Sequence, residues 1–113
     1  MTIKQEVQLV EIILTAHGPV QFKLQKVVKN GDQVLFAEPH RGAVDPGMSA
    51  SDYLAVVNQH LQSMGFPEIS TDGALKPSDI LDLVQTYHTP EFIAAYKAQE
   101  AARPPLSSGA KHK

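Results

Sequence analysis

The chain has 113 residues, 42% of them hydrophobic and 19% charged, with a formal net charge of −2 and no cysteine. That fits one folded domain with one modest core, excludes a disulfide framework or a thiolate metal site, and gives no overall pull toward nucleic acid or an anionic membrane. The apolar run near the N-terminus is broken by Glu11 and is far shorter than the ~20 residues a membrane span needs, and Glu6 with Glu11 argues against a signal peptide.

Residues 5–15 and 20–28 read as antiparallel strands, joined through Ala16-His17-Gly18-Pro19. The second alternates cleanly, with Val20, Phe22, Leu24 and Val28 against Gln21, Lys23 and Gln25. The first does not. Simple alternation sends Val7, Leu9 and Ile13 one way and Val10, Ile12 and Leu14 the other, so this strand asks for cover on both faces. Asn30-Gly31 is a hairpin signal of the type I′ kind, and a third strand follows over about 33–38, with Val34 and Phe36 alternating against Leu35 and Ala37. Residues 38–47 carry two prolines and two glycines and are expected to leave the sheet, although Arg41 to Val44 can stay extended.

Ser49 or Ser51 caps a first helix, with Ser49 and Asp52 resembling a capping box. Tyr53, Leu54, Val57, Leu61 and Met64 fall at helical spacing, Gly65 suits the C′ position, and Phe66-Pro67 is expected to fold back onto the helix. Pro77 and Ser78 open a second helix running to about Tyr87, with Ile80, Leu83, Val84 and Tyr87 as its apolar stripe. Thr89-Pro90-Glu91 starts a third, with Phe92, Ile93, Ala95 and Tyr96 as a narrow apolar face, and Pro104-Pro105 ends it. The fold expected is a single α+β domain over 1–103: an antiparallel three-stranded β-meander (5–38), then two or three helices (49–103), then a flexible tail (104–113).

Candidate chemistry is sparse. None of the five histidines is paired at i, i+4 with another, and no metal, cofactor or catalytic site is expected. His40 with Asp45 is the nearest approach to an acid/base pair, as a small hydrolase would use. A structural role for His40-Arg41 where the chain leaves the sheet is the simpler reading. His88 is read as a helix terminus where a protonated ring favours the last carbonyls.

The order of three segments resembles a loose group of short tailed-phage proteins encoded near tail or tail-fibre genes. These segments are Val27-Val28-Lys29-Asn30-Gly31-Asp32-Gln33-Val34, then His40-Arg41 with Asp45-Pro46-Gly47, then His88-Thr89-Pro90-Glu91-Phe92-Ile93-Ala94-Ala95-Tyr96. The chain departs from the group by an extra helical segment between Gly47 and His88. It also has His88 where Trp is more usual, which leaves the close packing of the last helix open. The resemblance implies a virion context, made in the host cytoplasm, and no catalytic residues. The expectation is a non-enzymatic structural or accessory protein of a phage tail, with a transient chaperone or adaptor for tail-fibre assembly as the alternative. Its partners would be other copies of itself or a neighbouring tail protein, with no nucleic acid, membrane or small-molecule substrate. The expected interface residues are Val10, Ile12 and Leu14 of the first strand, with Phe92 and Tyr96 of the last helix.

Overall fold

The computed structural model describes residues 2–102. Strands β1 (Ile3–Leu14), β2 (Val20–Asn30) and β3 (Gln33–Val44) form an antiparallel sheet in the order β1-β2-β3. Helices α1 (Ala50–Ser63), α2 (Pro77–Tyr87) and α3 (Pro90–Ala102) follow. This is the α+β layout read from the sequence. The expected tail, 104–113, and the two prolines at its start lie outside the described residues.

A β-bulge accounts for the failed alternation of β1. Leu9 pairs with Leu24 and Glu11 with Lys23, which leaves Val10 with no partner in β2. One extra residue exchanges the faces of everything that follows. Val7 and Leu9 before the bulge, and Ile12 and Leu14 after it, therefore stand on one side, opposite Lys26, Leu24, Phe22 and Val20. This corrects the expectation that Ile12 points away from Val7: it packs against the core. Ile13 takes the outward face.

The third strand is longer than expected. It continues through Pro39 and Gly42 to Val44 instead of leaving the sheet after residue 38. Two local features permit this. The Ala43 N–H donates to the Tyr53 hydroxyl at 3.4 Å, so it faces away from β2. Pro39, four residues earlier and in unbroken register, turns its nitrogen to the same outer edge, where no ladder bond is lost. Gly42 lies opposite Phe22, and a Cβ there would come within 2.5 Å of the Phe22 ring. A second bulge, between the Val28–Phe36 and Lys29–Val34 pairs, leaves Leu35 unpaired. Val34 thus shares a face with Ala37, not with Phe36 as simple alternation suggested. The hairpin is also shifted by one residue. Asn30 pairs with Gln33, so Gly31-Asp32 forms the loop, and only Gly31 has positive φ, at 61°. That is the sign pattern of a type II′ turn, not type I′.

The helix ends follow their sequence signals. Ser49 Oγ accepts the Asp52 N–H at 3.3 Å. At the other end of α1, Gly65 has φ 87°, its N–H bonds Gln62 O at 3.0 Å, and the Phe66 N–H bonds Leu61 O at 2.9 Å. This Schellman closure turns Phe66 back onto the core. In α2 the Asp79 carboxylate accepts the Lys76 N–H at 2.8 Å, and before α3 Thr89 Oγ1 accepts the Phe92 N–H at 3.2 Å.

Leu54, Val57 and Leu61 of α1, Ile80 of α2 and Ile69 pack on Val7, Leu9, Phe22, Leu24 and Val44. Each such side chain contributes about 1.5–3 kcal/mol of burial. Twelve residues of strand span roughly 40 Å, whereas the fourteen residues of α1 span roughly 21 Å. The helices therefore cover only part of the sheet. Ile3 and Phe36 lie beyond that cover, each about half exposed, and Val34 on the other face and the bulged Leu35 are exposed to the same degree.

Where β1 turns into β2, α3 is held by an aromatic cluster. The Tyr87 hydroxyl donates to Thr15 O. Phe92 lies 4.8 Å from the Tyr87 ring and stacks on His88 at 5.8 Å. The Tyr96 ring sits against Gly18. His88 is buried and bonds Gly18 O through Nε2. The ring thus reaches a carbonyl of the β1–β2 turn and not the last carbonyls of α2, and the histidine is itself part of the packing of the last helix.

Candidate functional site

The sheet has a covered face and an open one. On the open face the register builds cross-strand rows: Lys4–Lys29–Val34, Glu6–Val27–Ala37, Gln8–Gln25–Pro39, Glu11–Lys23–Arg41 and Ile13–Gln21–Ala43. The face is polar, with apolar islands at its two ends. Glu6 bridges Lys4 and Lys29, both at 3.4 Å. Burial raises the Glu6 carboxyl, but hydrogen bonds and charge from these two lysines prevail and hold it below the usual range. At the other end, Lys23 and Arg41 border a depression of about 340 Å³ whose rim includes Glu11 and Ile13. Neither cation has an ion-pair partner among the described residues.

Of the expected interface residues, Val10 and Leu14 are 44% and 47% exposed. Ile12 is half-buried on the covered side. Phe92 and Tyr96 are half-buried against the β1–β2 turn, engaged within the chain. Ile12, Phe92 and Tyr96 are thus engaged within the chain, while Val10 and Leu14 keep nearly half of their surface exposed. Sequence reasoning placed Ile13 and Lys23 only in the strand pattern and Arg41 only in a structural role, none of them at an interface. Their signal lies in the cross-strand register, which the bulge at Val10 hides between β1 and β2 and the bulge at Leu35 hides between β2 and β3.

Both sheet edges are blunted. On β1, Val7 O accepts the Ser70 N–H at 2.7 Å, so the 66–70 segment closes that edge at its middle, and the bulge distorts it further on. On β3, Pro39 has no N–H to offer, Leu35 is bulged, and Tyr53 occupies the Ala43 N–H. These are the devices that keep a strand from adding to another chain.

His40 and Asp45 do not form an acid/base pair. Five residues of extended chain separate them by roughly 16 Å, and the His40 ring lies 5.8 Å from that of His60. Burial, then the charges of Lys26 and His60, hold the His40 imidazole below its ordinary range against a weaker opposing pull from Glu38. Arg41 stays in the strand and faces out on the open side. No group of three or more His, Asp or Glu among the described residues is placed to hold a metal ion, and no helix there is long and apolar enough to cross a membrane. Against known proteins, no family model, curated sequence or solved structure matches the chain.

Proposed function

We propose that this chain is a non-enzymatic assembly protein that joins other copies of itself, or a neighbouring protein, through its sheet. Within that reading it is a small structural or accessory component of a phage virion, tail or tail-fibre associated. The observation that carries the assembly role is the apolar surface that the helices leave uncovered on both faces of the sheet. Ile3, Val10, Ile13, Leu14, Val34, Leu35 and Phe36 keep between 40% and 54% of their surface exposed. Apolar side chains grouped at the ends of one sheet are what a partner surface covers. The phage setting rests on the order of the three sequence segments that resemble short tail-region proteins.

Two measurements test this. Sedimentation at tens of micromolar should give a mass above one chain, and a monomer at every concentration and salt level would refute self-association. Mass spectrometry of purified particles should find stoichiometric copies. A chain needed for assembly yet missing from particles would point to the chaperone role instead.

A further inference from the structure

Charge is segregated between the two layers. Residues 2–44 hold five basic and four acidic side chains, whereas residues 45–102 hold eight acidic and two basic, so the formal charges are +1 and −6. On the open face the basic excess is concentrated, with Lys4, Lys23, Lys29 and Arg41 against Glu6 and Glu11. On the helical side Asp52, Asp82 and Glu91 are exposed, and so are the apolar Val56 and Leu81, at 60% and 36%.

We infer that the open sheet face of one copy docks on the acidic outer surface of the helices of the next. The occupant is thus a second copy of this chain in a head-to-tail contact. The inference rests on the self-association proposed above and specifies its geometry. Three observations carry it. The blunted edges disfavour strand addition, which leaves faces as the surfaces for contact. Two open faces meeting each other would oppose like charges, with Lys23 and Arg41 unpaired on both sides, whereas the helical surface carries the complementary sign. Each surface also presents exposed apolar side chains beside its charges, Ile13 on the sheet face and Val56 and Leu81 on the helices. A head-to-tail contact uses two different surfaces per copy, so it repeats into a ring or a filament instead of stopping at a two-fold dimer.

The test uses two neutralised variants of the full chain, Lys23→Gln with Arg41→Gln on the sheet, and Asp82→Asn with Glu91→Gln on the helices. Sedimentation of the unaltered chain should show assembly at low salt that weakens about tenfold or more in 0.5 M sodium chloride. Each variant alone should sediment as a monomer with unchanged circular dichroism. Their equimolar mixture retains one intact sheet face facing one intact helical face, so it should yield a two-chain species and nothing larger. If the helical variant assembles as well as the unaltered chain, the contact is not head-to-tail, and self-association itself survives. If the unaltered chain is monomeric at all salt concentrations, the underlying reading fails as well.

Discussion

The imidazole of His88 and the carbonyl of Gly18 lie 70 residues apart in the chain and 2.7 Å apart in space. A carbonyl only accepts, so Nε2 carries a proton in this bond, and Nδ1 is buried with no hydrogen-bond partner among the described residues. This bond, the Tyr87 bond to Thr15 and the stacking on Phe92 fasten the start of α3 to the β1–β2 turn. No residue of α3 itself is fully buried, so the helix depends on this clasp.

Replacing His88 with Ala removes the hydrogen bond and the stack and leaves a cavity. The expected cost is about 2–4 kcal/mol in chemical denaturation. His88→Gln keeps an amide donor at similar reach and should lose about half as much. Amide exchange should speed up across 90–102 in the Ala variant before it changes in β2. Uniform acceleration would mean that α3 does not depend on the clasp.

Gly18 is constrained twice. Its φ is 139°, and an added Cβ would lie 2.7 Å from the Tyr96 ring. Gly18→Ala therefore combines backbone strain with overpacking, at about 2–4 kcal/mol. Joining it to Tyr96→Ala should relieve the steric share and cost less than the two single losses added together. Additive losses in thermal unfolding would place the strain in the backbone alone.

The bulge at Val10 makes adjacent residues opposite in kind. Ile12→Lys sets a charge at a half-buried site against the core and should cost about 1–3 kcal/mol. Ile13→Lys places the same charge on the open face and should change stability by about 0.5 kcal/mol or less. A straight strand would reverse these outcomes, so a pair of thermal melts decides between them.

That contrast also marks what could be read from the sequence. Helix boundaries were legible because Ser49, Gly65, Pro77, Thr89 and Pro90 each satisfy or terminate backbone bonds locally. The three-strand order was legible from short connections. Bulges carry no such local mark: Val10 and Leu35 are ordinary strand residues, and their extra place appears only against a partner strand. Pro39 and Gly42 were read as breakers because their tolerance depends on which edge and which ring they face. The open face, with Lys23 beside Arg41, inherits the same blindness, since the residues meet only once the register is fixed.

His40 should make stability depend on pH. Burial and then the charges of Lys26 and His60 lower its folded-state value, so the unfolded chain takes up this proton at a higher pH than the folded one. In that window the unfolded state binds more protons, and stability falls as pH falls. The contribution is complete above about 6.5, the ordinary histidine value, and is lost as pH drops through the lower folded value. His40→Gln should flatten the melting midpoint from about pH 7 to about pH 5. Glu6 is also lowered, and its stabilising contribution is lost at more acidic pH, below its ordinary 4.5. An unchanged slope in the His40 variant would remove this residue from the account.

Lys26 is 7% exposed on the covered side of the sheet, with Nζ 2.6 Å from Glu38 and 5.7 Å from the centre of the Phe66 ring. Its partner is half exposed, so solvent screens the pair and the attraction is only partly realised. Removing the two members is expected to have unequal effects. Glu38→Ala strands a charge under Phe66 and should cost about 1–2 kcal/mol. Lys26→Met keeps the aliphatic volume, removes the desolvated charge and should cost less than about 1 kcal/mol, or stabilise. In the double variant the loss from Glu38→Ala should disappear, since no buried cation remains to be orphaned. Urea titrations of the four chains check this ordering. If Lys26→Met instead proves the costlier change, the ion pair and the cation over Phe66 outweigh the desolvation of the ammonium, and the sheet surface beneath the 66–70 segment is held electrostatically and not by packing.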